Sequence, residues 1–359
     1  MNTSIPCVLM RSGTSRGPFF LRDWLPQDIA TRDRVLVSAI GSADSSQING
    51  LGGGSSLTSK VAIVSRASRP DCDVDYLFAQ VGVGERTVDT RPNCGNMLAG
   101  VAPFAIEQGL VAAGPGATTV RVHNVNTGAR IDVAVQTPEG HVTYDGDVRI
   151  DGVAEPAAPI YLNFLDAWGA STGKLFPTGR RIDRIDGVPV TCIDAAMPMV
   201  LIPADSLGVT GRESAAELDA TPGLLERLER IRLQAGQLMG LGDCSDSVVP
   251  KPVLVSPHED AKAIVSRYFT PWRCHSSHAV TGAIGVSTAL ALPGTVASQA
   301  GLAPGRHELR VHHPSGLIQI AMDLKAEAGE LVAERASVVR TARKILQGQL
   351  EVPSHLFHI

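Results

Sequence analysis

Residues 91–100 read RPNCGNMLAG, and residues 101–111 continue as VAPFAIEQGLV. A cysteine stands between an asparagine and a glycine where an apolar, helix-compatible run, 97–112, begins in spite of Pro103. At a helix start the unpaired N–H groups point outward, and the backbone dipole adds about half a positive charge. Such an end accepts an anion, a carboxylate included. Gly95 permits close approach of the backbone. Cysteines in this setting can act as acid, base or nucleophile. The plainer alternative is a buried residue at a helix cap; the Asn-Cys-Gly-Asn surroundings favour function.

Moving outward, the arrangement recurs. LTSKVAIVS (57–65) is a lysine leading into a strand, and VPKPVLVS (249–256) is another. Lys60 precedes Cys94 by 34 residues, and Lys251 precedes Cys274 by 23. Each cysteine is expected to open an apolar, Gly/Ala-rich helix, CGNMLAGVAPFAI and CHSSHAVTGAIGVSTAL. The order lysine, strand, turn, cysteine, helix therefore occurs twice. Identity between the copies is slight, so an internal duplication is one reading and chance the other.

The chain has 359 residues, which suggests two domains at about 150 residues each. With 44% hydrophobic residues it can bury a substantial core. Aromatics make up 4% against 36 glycines, favouring many short strands and tight turns. The formal charge of −4 and the absence of basic tracts argue against nucleic acid as partner. The start, MNTSIPCVLMRSG, lacks a basic region, and its apolar run is short for a signal peptide. AVTGAIGVSTALALPG is too short and too often interrupted to span a membrane. A cytoplasmic protein without a membrane partner is expected. The six cysteines (7, 72, 94, 192, 244, 274) form no CxxC pair and are read as thiols.

Strands are expected at 6–10, 60–65, 74–83, 118–125, 129–137, 188–194, 199–203, 251–256, 307–313 and 317–324, where short β-branched runs lie between turn residues. Helices are expected at 29–41, 97–112, 213–238 and 278–292, the third broken or restarted at Pro222. Leu224, Leu228, Ile231, Ala235 and Leu238 recur there at helical spacing. The turn-rich stretch 139–187 closes the first half, placing domains at 1–185 and 186–359.

RSGTSRG (11–17) offers two guanidiniums, hydroxyls and flexible backbone; arginine matches the paired geometry of a carboxylate. By itself it is also an ordinary polar turn. GLGGGSSLTSK (50–60) precedes a strand instead of following one, so the dinucleotide fingerprint fails. It reads as a loop lining a pocket, with Lys60 at its end. A lysine serves as a general base only in its neutral form; otherwise Lys60 is a solvated residue at a strand edge. In RCHSSHAV (273–280) Cys274 adjoins His275 too closely for easy tetrahedral zinc geometry, and no metal or other cofactor is expected. A Cys–His hydrolase pair lacks a local signature. The histidines of HHPSG (312–316) are read as structural.

The stretches PCVLMRSGTSRG, GSADSSQINGLGGGSSLTSKVAIVS, DVDYLFAQV, NCGNMLAGVAPFAIEQGLV, RIDGVPVTCID, MPMVL, LGVTG, FTPWRCH and VVRTARKI run in order over nearly the whole chain. Together they resemble the PrpF-type isomerases, and most nearly the oxalomesaconate branch of that family. The resemblance implies an α+β fold of diaminopimelate-epimerase type. Two pseudo-symmetric halves would each wrap strands around a central helix, with the active site in the cleft between them. It implies a cofactor-independent allylic proton shift, or tautomerisation, in an unsaturated polycarboxylate. Lys60 and Cys94 would be catalytic. Arg11, Arg16 and Arg273 would clamp carboxylates, and Thr14, Ser15, Ser56, Thr58 and Ser59 would donate hydrogen bonds. Gly95, Asn96, Met197, Cys274, His275 and Ser276 would complete the binding site. The expected partner is a small polycarboxylate, with a homodimer left open. The alternatives are a 2-methylaconitate cis-trans isomerase, a cysteine-based epimerase and a non-catalytic polycarboxylate-binding protein.

Overall fold

The computed structural model describes residues 2–270, 272–298 and 300–357. The chain divides into two compact units. One comprises Met1–Asn126, Arg130–Leu162 and Val339–Ile359, and the other Thr127–Ala129 and Asn163–Val338. A linear cut at 185/186 is therefore not what forms. The chain leaves the first unit at 162, and its last segment returns there. That return has a physical cause. The final strand pairs antiparallel with the first from Asn2↔Pro353 to Ser12↔Ala342, and its ladder ties the chain ends together.

The first unit holds β1 (Asn2–Ser12), β2 (Ser15–Leu21), β3 (Lys60–Arg66), β4 (Val74–Val81), the two-residue β5 (Val88–Asp89), β6 (Gly116–Asn124) and β7 (Arg130–Thr137). Strand β8 (Ile160–Phe164) spans the border. The second unit holds β9 (Asp183–Ile185), β10 (Val188–Asp194), β11 (Pro198–Pro203), β12 (Lys251–Pro257), β13 (Ala263–Tyr268), β14 (Gly305–His313), β15 (Gly316–Glu327) and most of β16 (Glu330–Arg340). The returning strand is β17 (Ala342–Pro353).

Pairing reveals the duplication more plainly than sequence does. In the first unit β1–β2 is antiparallel, β2–β3 parallel, β3–β4 antiparallel, β4–β6 parallel and β6–β7 antiparallel. In the second, β10–β11, β11–β12, β12–β13, β13–β14 and β14–β15 repeat that series. Lys60 opens β3, and Lys251 opens β12 at the equivalent place.

The helices repeat too. Helix α1 (Ile29–Ile40) joins β2 to β3; α4 (Ala215–Asp219) and α5 (Leu224–Leu238) join β11 to β12. Asp28 caps α1 by accepting from the Thr31 N–H, and left-handed Gly41 ends it. A Ser214–Glu217 capping box starts α4. Pro222 separates α4 from α5, as its missing N–H predicts. Leu224, Leu228, Ile231 and Ala235 are buried in one core with Val200, Ile202 and Leu254. Each of the larger side chains stabilises the fold by about 1.5–3 kcal/mol.

Between β4 and β6 lie α2 (Gly95–Leu98) and α3 (Val101–Glu107); between β13 and β14 lies α6 (Val280–Ala291), all of whose residues are buried. Helix α6 packs on β10, β11, β13, β14 and β15, while α2 and α3 pack on strands of the first unit. The expected helix 97–112 is thus two short ones. Pro103 offers no N–H to the Ala99 carbonyl four residues back, and its ring crowds that group, so the helix interrupts at Ala99–Gly100. Strands β2, β5, β8, β9, β13, β16 and β17 were not anticipated. β17 is mostly exposed, so it carries no apolar alternation to be read.

Candidate functional site

In the first unit the RSGTSRG segment is a hairpin, with Ser12 opposite Ser15 and Arg11 opposite Arg16. Its tip rests on the start of α2. Ser12 Oγ donates to the carbonyls of Asn96 (2.6 Å) and Met97 (3.1 Å), and the Thr14 N–H reaches Asn96 Oδ1 at 3.4 Å. Gly13 turns the tip with φ +54°, and a Cβ there would lie 2.2 Å from Asn96 Oδ1. Glycine meets both demands.

Three consecutive tip residues carry buried polar atoms without a hydrogen-bond partner among the described residues: Thr14 Oγ1, Ser15 Oγ and Arg16 Nε. Buried polar groups are ordinarily paired, so a cluster of orphans is a candidate place for a ligand. Two hydroxyls and a guanidinium N–H suit an anion with several oxygens. Arg16 is held by Nη2 bonds to the carbonyls of Leu51 and Gly52, both 3.3 Å, and its main-chain N–H donates to Leu57. The tip is thereby fastened to the glycine-rich loop that leads to Lys60.

Gln47 organises that loop. Its Oε1 accepts from the N–H groups of Gly53 and Gly54, and its side chain is bonded to Ser59 Oγ at 2.7 Å. Ser59 Oγ also lies 2.7 Å from the Ser55 carbonyl, so this hydroxyl closes the loop and is not open to a ligand. Thr58 Oγ1 bonds within the loop to Ser55, while Ser56 is half-buried beside it.

Lys60 is 9% exposed and forms no ion pair among the described residues. Its Nζ donates to Gln80 Oε1 at 2.7 Å and lies 5.1 Å from the centre of the Phe78 ring. Lys60 and Gln80 are cross-strand partners, so their side chains share a face. Tyr76, Phe78 and Gln80 alternate along that face of β4. Gln80 Nε2 donates to the Ser59 carbonyl at 2.9 Å, fixing which amide atom meets the lysine. Tyr76 Oη donates to the Cys94 carbonyl at 3.1 Å. Burial keeps the Tyr76 phenol well above its ordinary range, hence as a donor. One strand face therefore holds both Lys60 and the backbone of Cys94. The Cys94 thiol makes no hydrogen bond among the described residues, and Gly95 and Asn96 are buried beside it.

Arg11 differs from its expected use. Its Nη1 donates to the carbonyls of Gly13 (3.2 Å) and Thr341 (2.7 Å) and to Thr341 Oγ1 (2.9 Å). Burial, with the neighbouring Arg343 charge, lowers its pKa to about 10. Through Nη1, Arg11 fastens the hairpin to the segment before β17.

The second unit places the remaining residues. Met197 Sδ accepts from Tyr268 Oη at 3.0 Å and Thr281 Oγ1 at 3.4 Å. Arg273 and Ser276 are exposed; His275 is buried, its Nδ1 accepting from the Ser277 N–H at 3.0 Å. Cys274 does not open a helix, because α6 begins at Val280. Its side chain belongs to the core that α5 covers. Burial pushes the Cys274 thiol up to about 12, aided by Asp219, whose carboxylate accepts the Cys274 N–H. That thiol is a core residue, held protonated at neutral pH by its burial. His278 is fully buried, with Nε2 on Ser266 Oγ (2.9 Å) and Nδ1 on the Ala279 carbonyl (2.9 Å). Among the described residues no group of three or more His, Cys, Asp or Glu is placed to hold a metal ion, and no helix is long and apolar enough to cross a membrane.

Comparison with known proteins extends this picture. The family model described as PrpF protein matches residues 2–353. The chain is 55% identical to YbhH of Escherichia coli (strain K12), whose name assigns it provisionally as an isomerase, over 97% of this chain and 99% of that one. It is 49% identical to the 4-oxalomesaconate tautomerase of Pseudomonas putida, over 96% of this chain and 95% of the relative. Among solved structures it superposes on a methylitaconate-delta-isomerase with a TM-score of 0.79 at 34% identity, covering 99% of this chain and 97% of that one. A hydroxyproline epimerase from Agrobacterium vitis shares the fold alone, with a TM-score of 0.58 at 12% identity over 97% and 93% of the two chains. The architecture is therefore the α+β epimerase-like fold.

Proposed function

The chain belongs to the PrpF family, and from that premise we propose that it is an isomerase that shifts a C=C bond in an unsaturated polycarboxylate, with 4-oxalomesaconate as substrate. The observation that carries the reading is the pairing of a buried, carboxylate-free lysine with a hairpin tip full of unused donors. Lys60 has a neutral amide, Gln80, and an aromatic face, Phe78, as neighbours. Thr14 Oγ1, Ser15 Oγ and Arg16 Nε offer hydrogen bonds to an anion. The 49% identity to a 4-oxalomesaconate tautomerase supports the choice of substrate.

The chemistry follows from these groups. Lys60 as free amine takes a proton from the carbon next to the conjugated system. The electron pair delocalises into a dienolate. Donors already aimed at the developing oxyanion lower the barrier most, since they need no reorganisation. Arg16 and the hydroxyls of Thr14 and Ser15 fill that role, and the Cys94-Gly95-Asn96 segment flanks it. The ammonium of Lys60 then returns the proton to the far end of the allylic system. Electrons and protons balance within the substrate, so the reaction needs no cofactor. The proposed setting is the breakdown of aromatic acids in the cytoplasm.

The test is proton NMR of freshly generated 4-oxalomesaconate in D2O with wild type and with Lys60→Met. Double-bond migration or deuterium uptake is expected in wild type, with the rate lowered by about 10²–10⁴-fold in the variant, the usual weight of a general base. An inert wild type removes this substrate. Equal rates discard Lys60 as the base.

A further inference from the structure

The VVRTARKI segment contains a group that the proposed reaction has not yet used. Arg340 ends β16 and is 5% exposed. Along β16 Ala336, Val338 and Arg340 are buried while Ser337 and Val339 are half-buried, so Arg340 points inward. Its Nε is buried without a hydrogen-bond partner among the described residues. Among the described residues its one side-chain hydrogen bond runs from Nη1 to the carbonyl of its own neighbour Val339, at 2.8 Å. It forms no ion pair among the described residues. Asp151 is the charge that supports it, from an exposed position. Burial lowers the Arg340 pKa to about 10, which still leaves it charged at neutral pH.

A desolvated guanidinium without a bonded counter-ion is costly, and proteins keep one where a partner arrives from outside. The location narrows the partner. The next residue, Thr341, accepts the Gly13 N–H at 2.9 Å and two bonds from Arg11, so Arg340 adjoins the anchor of the hairpin tip. The tip already presents one anion subsite through Arg16. We propose that Arg340 receives a second carboxylate of the substrate and so selects for polycarboxylates over shorter acids. Its planar fork fits a carboxylate, and Nε is the free donor. This rests on the isomerase reading for the identity of the substrate, and the experiment separates the two.

Wild type, R340K and R340M are compared by thermal unfolding, with and without the saturated tricarboxylate tricarballylate, and by initial rates on 4-oxalomesaconate. In buffer alone R340M is expected to melt at or above wild type, because an unpaired buried charge has been replaced by an apolar chain. Tricarballylate is expected to raise the melting point of wild type and to lose most of that effect in R340M. KM for 4-oxalomesaconate should rise at least tenfold in R340M with kcat changed less than threefold, and R340K should fall between. A tricarballylate shift that is absent in wild type, or equal in wild type and R340M, overturns the assignment. So does a melting point below wild type in both variants with KM unchanged, which would make Arg340 a purely structural group. Wild type inert on 4-oxalomesaconate, yet stabilised by tricarballylate in an Arg340-dependent way, removes the substrate and retains Arg340.

Discussion

At the scale of single residues, the two cysteines that the sequence presents as equivalents part company. Cys94 borders the hairpin tip and is tied to β4 through Tyr76. Cys274 lies in the core beneath α5, its thiol held in the protonated form by burial. Cys94→Ser is expected to lower turnover at least tenfold. Cys274→Ser should keep turnover within about threefold and cost about 1–3 kcal/mol, the penalty for a buried hydroxyl without an assured partner. Steady-state rates and urea unfolding on both variants check this. Equal loss of turnover in the two would revive a symmetric two-cysteine epimerase. Lys60 and Cys94 stood out in the sequence because each heads an apolar element directly after a polar turn. Gln80 was not, since a glutamine in DYLFAQV looks solvated until strand parity turns it inward beside Lys60.

At the scale of elements, the site depends on one turn. The β1–β2 tip reaches α2 only because Gly13 takes a left-handed backbone and has no side chain. Gly13→Ala adds about 1–2 kcal/mol of backbone strain. It also drives a Cβ into Asn96, 2.2 Å away. The variant should unfold at lower denaturant and bind polycarboxylates more weakly; stability and affinity equal to wild type would contradict this account of the tip. That the RSGTSRG segment is a hairpin and not a loop was hidden in the sequence. Its second strand, SRGPFFL, has glycine and proline inside it, residues that normally count against a strand. The break in the helix after Cys94 was visible as Pro103, yet its consequence, the separation of α2 from α3, depends on which carbonyl the ring meets.

At the scale of the molecule, stability should depend on pH through His278. Burial lowers its pKa to about 3, whereas in the unfolded chain it titrates near the ordinary value of about 6.5. Below that value the unfolded chain binds a proton that the folded one refuses. Stability is therefore undiminished above about pH 6.5 and falls as the pH drops toward about 3. The contribution to the slope is up to about 1.4 kcal/mol per pH unit. Urea unfolding between pH 5 and 8 should show a shallower acid-side slope for His278→Gln than for wild type; parallel slopes would exclude His278 as the source.

What the sequence by itself determined is the inventory and its order. It supplied β-branched runs bounded by turn residues, an amphipathic α5, a lysine heading a strand in each half, and a Gly/Ser-rich loop before the first of them. Those features depend on neighbours along the chain, where spacing and composition carry the physics. The tertiary structure alone decided which side chains share a face and which groups go unpaired. Strand register put Lys60 opposite Gln80, and the β1–β17 ladder returned the chain's last segment to the first unit and set Thr341 against the hairpin tip. Packing against α5 made Cys274 a core residue, and burial left Arg340 Nε and three polar atoms of the tip without hydrogen-bond partners among the described residues. Hydrogen-bond satisfaction and desolvation are sums over groups distant in sequence, so no local pattern could report them.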